Sequence, residues 1–188
     1  EKINFQKLIW ASVGKYPTNK FSKKNKICTN NLAFKNTPHH IGIDRALACF
    51  AANNIIENKY NKNILIVDLG TTVSITKIDK KGTLIGGQLL PGFTTQLKSM
   101  EQNTKNLRSP ENIFLPSNNF EISTVKAMLR GVHNSIIGAI QLSFNPKQDL
   151  LILCGGDANF IGKSIKEKIA DIIIEPNLVM YGMILSKS

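Results

Sequence analysis

The sequence predicts an α/β fold, and three observations predict it. The run "ILIVD" at 64–68 is continuously apolar up to its final aspartate, as in a buried strand. The segments 73–79 and 83–89 read as two more strands, joined by the hairpin turn "DKKG". Beyond residue 92, helical spacings alternate with short apolar runs. Pro91-Gly92 opens a helix over 93–103, and "SPENIFLPSNN" is a loop rich in Pro, Asn and Ser. "STVKAMLRGVHNSIIGAI" places apolar residues three and four apart and predicts a helix over 123–142. A strand over 149–154 runs into Gly155-Gly156. An amphipathic helix over 158–170, a short strand over 172–174 and a helix over 178–185 complete the chain. Ahead of residue 61, the pattern predicts a strand at 7–13, a short one at 26–29 and a helix over 41–58, with Gly42 and Asp44 in its first turn.

From residue 64 the order is β-β-β-α-(α)-β-α-β-α, that of a ribonuclease-H-like half-domain. Two such halves facing a cleft make the actin-like fold. The expected division is 1–60 as the remainder of the first half-domain and 61–188 as the second. Residues 1–60 supply only the later β-α-β-α of such a half. The template therefore predicts a first half truncated at its N-terminus, with its opening β-β-β-α in sequence ahead of Glu1.

Composition narrows the classes. The 188 residues are 42% hydrophobic and 20% charged, ordinary values for a globular chain. No apolar run is long enough to span a bilayer, and "EKINFQKLIW" has no signal-peptide core. Three widely spaced cysteines, none in C-x-x-C, argue against a disulfide framework or zinc site and for a reducing, cytoplasmic setting. Cys49 and Cys154 sit in apolar runs and read as core. Net charge is +11. The lysines are scattered, however, with one cluster at Lys20, Lys23, Lys24 and Lys26, and abundant Asn beside Lys points to AT-rich coding. No aromatic-interleaved basic stripe or helix-turn-helix pattern appears, so nucleic acid is not a predicted partner. The excess charge favours a small anionic substrate.

Three motifs carry chemistry. In "DLGTT", a strand ends on Asp68 before a tight hairpin. Gly70 lets the backbone approach phosphate oxygens, Thr71 and Thr72 offer hydroxyl and N–H donors, and Asp68 can bind a cation. An Asx-type turn would use the same residues. In "GIDR", Asp44 fits a helix start, where it favours the macrodipole. Arg45 beside it does not, and the pair suits an alcohol that carries a carboxylate: Arg45 for the carboxylate, Asp44 for the hydroxyl proton. In "LILCGGDAN", Gly155 and Gly156 make room for a ring or phosphate, or form a tight turn capped by Asp157. Thr124 and Gly131 could be helix-start and packing residues. His39, His40 and His133 lack metal-ligand spacing and read as surface or structural.

Taken in order and at approximate spacing, "HHIGIDRALACFAA", "ILIVDLGTTVSITKIDKKGTLIGGQLLPG", "STVKAMLRG", "LILCGGDANFI" and "EPNLVMYGM" resemble type III pantothenate kinase over nearly the whole chain. The resemblance implies an actin-like homodimer that phosphorylates pantothenate with ATP to 4'-phosphopantothenate, the first step of coenzyme A biosynthesis. It also implies Mg2+ and a monovalent cation, K+ or NH4+. By similarity, Gly42, Ile43, Asp44 and Arg45 line the pantothenate site. Asp44 accepts the hydroxyl proton, Arg45 grips the carboxylate and Thr124 touches the substrate. Asp68 holds the monovalent cation, Gly70, Thr71 and Thr72 belong to the ATP-binding hairpin, and Gly155 and Gly156 lie near the adenosine. The family's opening hairpin, Asp-x-Gly-Asn-Thr/Ser, has no counterpart here. Phe34 lies near the place of a family tyrosine, offset by one, and Cys154 stands where Thr is common. Two other readings share the fold: a non-catalytic regulatory or binding relative, and a kinase for a sugar or acetate. The G-x-D-R motif counts against the last.

Overall fold

Strand β1 (Asn63–Leu69) is the centre of a five-stranded sheet. Its partners are β2 (Thr72–Ile78), β3 (Leu84–Pro91), β4 (Asp149–Cys154) and β5 (Ile172–Ile174), and the spatial order is β3-β2-β1-β4-β5. The computed structural model describes residues 8–13, 21–32, 38, 41–56 and 61–187. β1 pairs antiparallel with β2, with Asp68 opposite Ser74. On its other side it pairs parallel with β4, with Asp68 opposite Cys154. The carboxyl ends of β1 and β4 therefore lie side by side. Crevices at such ends are where open α/β sheets bind ligands.

The apolar run of β1 is continuous because both faces of the sheet are covered. Leu65, Val67 and Leu69 face one core with Val73, Ile75, Leu151 and Leu153. Helices α2 (Phe93–Asn103), α3 (Thr124–Ser143) and α4 (Ala158–Lys166) bury Phe93, Leu97, Leu129, Ile136, Ile161 and Ile165 against it. Ile64 and Ile66 face the opposite core with Ile78, Leu150 and Ile152. That core is closed by α1 (Ile43–Ile56) and α5 (Leu178–Leu185). The buried face of α1 is rich in small residues, Ala46, Ala48, Cys49, Ala51 and Ala52, which lets the helix lie close to the strands. One buried charge braces the sheet. Asp149 is fully buried and accepts from Lys77 Nζ at 2.7 Å and the Asn145 amide at 2.8 Å.

The fold is α/β, and from β1 onward the elements follow the predicted order β-β-β-α-α-β-α-β-α. The predicted strands at 7–13 and 26–29 are not strands over their described residues. A single parallel bridge joins Trp10 to Lys26, and short 3-10 turns occupy Lys23–Asn25 and Thr29–Asn31. The helix predicted to Ala170 stops at Lys166, after which Ile169 turns back into the core and leads the chain to β5. On α3, Ile136 and Ile140 are core as the spacing suggests, whereas Ala127 is exposed. His133 is buried and structural, its Nε2 2.9 Å from Ser164 Oγ. Phe34, His39 and His40 lie outside the described residues.

Candidate functional site

The site forms where α1 begins, above the carboxyl ends of β1 and β4. Asp68, Ser74 and Thr76 share the sheet face with Ile66 and Ile78, the face that α1 covers. Asp44, in the first turn of α1, is near enough to Asp68 for their charges to interact. Burial first, and the Asp44 charge second, push the Asp68 carboxyl above the usual range. Asp44 Oδ1 accepts the Arg45 amide at 2.8 Å, so the capping role at the helix start is real. Its second oxygen accepts no hydrogen bond among the described residues. Arg45 reaches across to β2 and donates from Nε to Thr76 Oγ1 at 3.2 Å. "GIDR" and "DLGTT" thus meet in space, although 23 residues separate Asp68 from Arg45 (68 − 45).

Gly155 is required here. Its φ is +85°, and a Cβ would lie 2.4 Å from Asp68 Oδ1 and 2.6 Å from the Leu69 carbonyl oxygen. Its neighbour Cys154, opposite Asp68 on β4, is buried, and burial pushes its thiol well above the ordinary range. Asp157 donates its amide to the Leu69 carbonyl at 3.0 Å, which fixes the β4–α4 turn against the end of β1.

Beside this junction lies a cavity of about 630 Å³. Gly70 and Thr71 form one wall and Gly156 and Asp157 another. The third is α2, through Thr94, Thr95, Lys98, Ser99 and Gln102. Its geometry is set by Gly92, where a Cβ would lie 1.8 Å from the Gly70 carbonyl oxygen. The Gly92 amide and the Thr95 hydroxyl both donate to the Thr71 carbonyl, at 2.8 and 2.7 Å. The first backbone bond of α2 is Gln96 N–H to the Gly92 carbonyl, so the amides ahead of it lie outside the helical ladder. A helix start, Lys98 one turn on and a glycine hairpin are together complementary to phosphate.

Of the residues expected to bind nucleotide, Gly70, Thr71 and Gly156 line this cavity. Thr72, exposed at the start of β2, does not, and Gly155 serves by its close approach to Asp68. Gly42 and Ile43 lead into Asp44 at the start of α1. Thr124 is exposed at the start of α3, and no hydrogen bond among the described residues joins it to Asp44. Asp157 was expected only as a helix cap, and the residues of the α2 wall were not singled out in the sequence. Their signal was present: Thr94, Lys98 and Gln102 repeat at four-residue spacing along one face just after "LLPG". Burial raises the Asp157 carboxyl, and its side chain makes no capping bond although it stands at the head of α4.

The donors suit cations that are held by one or two carboxylates and completed by main-chain oxygens, water or phosphate. Asp68 beside Asp44 is such a pair, and a cation there would relieve their mutual repulsion. Among the described residues, no group of three or more His, Cys, Asp or Glu is arranged around a metal. No described helix is long and apolar enough to cross a membrane.

Comparison with known proteins identifies the family. Type III pantothenate kinases from Synechococcus elongatus and Pseudoalteromonas translucida are each 32% identical to the chain, over 149 and 148 residues. These matches cover 76% and 77% of this chain and 58% and 60% of the relatives, so the chain spans little more than half their length. A crystal structure from Campylobacter jejuni, described as a Baf family transcriptional activator, superposes with a TM-score of 0.66 at 24% identity. It covers 87% of this chain and 72% of that one, and it shows the shared fold alone. The sequence model of the type III pantothenate kinases matches residues 11–145, a stretch that includes α1, the hairpin, α2 and α3, and the chain belongs to that family.

Proposed function

We propose that the chain is the pantothenate- and ATP-binding part of an enzyme that makes 4'-phosphopantothenate, the first step of coenzyme A biosynthesis. The observation that carries this reading is the meeting of Asp44, Arg45 and Asp68 beside a phosphate-complementary cavity. In this reading, Arg45 pairs with the pantothenate carboxylate and Asp44 accepts the proton of the attacking primary hydroxyl. Gly70, Thr71, the start of α2 and Lys98 hold the polyphosphate, while Gly156 and Asp157 flank the nucleoside. Phosphoryl transfer asks for positioning and charge neutralisation more than covalent help, and these groups supply both. Asp68 holds the monovalent cation, K+ or NH4+, and Mg2+ accompanies the ATP and neutralises phosphate charge. Thr124 contacts the substrate from α3. Residues 1–60 belong to the first half-domain and 61–188 to the second.

The protein acts as a homodimer in this reading. Support comes from an apolar surface around the start of α3, where Leu115, Phe120, Ile122 and Val125 are all exposed.

The test is an assay with pantothenate, ATP, Mg2+ and K+, with the product identified by mass. Formation of 4'-phosphopantothenate and ADP is the expected result. A folded chain that binds both substrates without turnover would replace the kinase reading with a binding or regulatory one.

A further inference from the structure

Arg45 does not lie free at the mouth of the site. Its Nε donates to Thr76 Oγ1, and Thr76 is only 2% exposed, on the central part of β2. Beyond it, β3 brings Gly87 opposite Thr76. A Cβ on Gly87 would lie 2.5 Å from Arg45 Nη2 and 2.6 Å from the Ile75 carbonyl oxygen. The guanidinium therefore rests in a socket with a buried hydroxyl on one side and a missing side chain on the other. A guanidinium is a planar fork, and its pairing with a carboxylate depends on its plane. Fixing Nε to the sheet sets that plane before a ligand arrives.

We propose that Thr76 is a positioning residue that, through Arg45 and with Gly87 as clearance, makes the acceptor site selective for a substrate bearing a carboxylate. This rests on the substrate reading above. It adds a determinant 31 residues from the motif it serves, on a different element. A purely structural tie between α1 and β2 would predict a different result, because it would affect every ligand alike.

The test is calorimetric titration with two ligands: pantothenate, and its alcohol counterpart in which a hydroxymethyl group replaces the carboxylate. Thr76→Val keeps the shape and removes the acceptor. It should weaken pantothenate binding roughly tenfold, the scale of one hydrogen bond to a charged group, and leave the alcohol within about twofold. Thr76→Ser should recover most of the loss. Thr76→Ala, which removes the acceptor without adding bulk, should reproduce the selective loss and keeps the test open if Thr76→Val fails to fold. In an Arg45→Gln background, Thr76→Val should have no further effect on pantothenate. Equal losses for both ligands, or no loss, would overturn the proposal while leaving the substrate reading in place. An unaltered chain that binds neither ligand would overturn the substrate reading, and this inference with it.

Discussion

Asp44 Oδ1 steadies the start of α1, and the second oxygen accepts no hydrogen bond among the described residues. Asp44→Asn keeps the capping acceptor and removes the base. The expected loss in turnover is about 10²–10⁴-fold, with the melting temperature nearly unchanged. Near-normal activity in this variant would remove Asp44 from proton transfer. Asp68 predicts a pH effect. Its folded-state carboxyl is raised above the ordinary 3.8, so the folded chain holds this proton more tightly than the unfolded one. The resulting stability is complete below 3.8 and lost as pH rises through the raised value. A cation beside ionised Asp68 offsets that loss. Potassium should therefore raise the melting temperature more at neutral than at acid pH, and Asp68→Ala should abolish the difference. A potassium response surviving in Asp68→Ala would place the cation elsewhere. Asp44, Arg45, Asp68 and Gly155 were legible in the sequence because each breaks a local pattern: an Arg at a helix start, a charge ending an apolar strand, paired glycines before a helix. Thr76 breaks no pattern. It sits in a good β-forming run, and its role exists only because α1 folds over β2.

Among elements, α2 does most to shape the cavity; the sequence predicts the helix over 93–103 but not its place in the site. Its start is pinned by Gly92 against the hairpin, so Gly92→Ala should cost about 1–3 kcal/mol or more in overpacking, read from denaturant midpoints. Lys98 is the one cation among the described residues that line the cavity. Lys98→Ala should weaken ATP binding by about tenfold at low salt, and the deficit should shrink as salt rises, because the contact is exposed and screened. Binding unchanged in Lys98→Ala at low salt would move the polyphosphate off this wall. The strands and long helices were legible because β1 and β4 are buried on both faces and α3 carries a clear apolar stripe. The end of α4 was not, because Ile169 continues the apolar rhythm past the last helical turn. The segments 7–13 and 26–29 read as strands, yet among the described residues their pairing is one bridge. Pairing partners are set by the fold, not by local spacing.

For the whole molecule, the two cores on either side of one sheet explain why a weak set of short motifs converges. The motif residues lie near the carboxyl ends of adjacent parallel strands, and the helices clamp those ends from both faces. The exposed apolar run near α3 belongs to this scale too. Paired Phe120→Asp and Ile122→Asp should shift the light-scattering mass from dimer to monomer without lowering the melting temperature of the monomer. A monomer in the unaltered protein would discard the dimer. The same burial that builds the α1 core has a practical outcome. Cys49 and Cys154 both sit in it, and burial drives the Cys49 thiol up to about 12. Neither sulfur offers a thiolate to an alkylating reagent while the sheet is covered, whereas Cys28 is exposed. Timed alkylation would then turn the pair into a built-in clock. Mass added at Cys28 marks the dead time, and mass added at the other two counts each opening of the α1 layer.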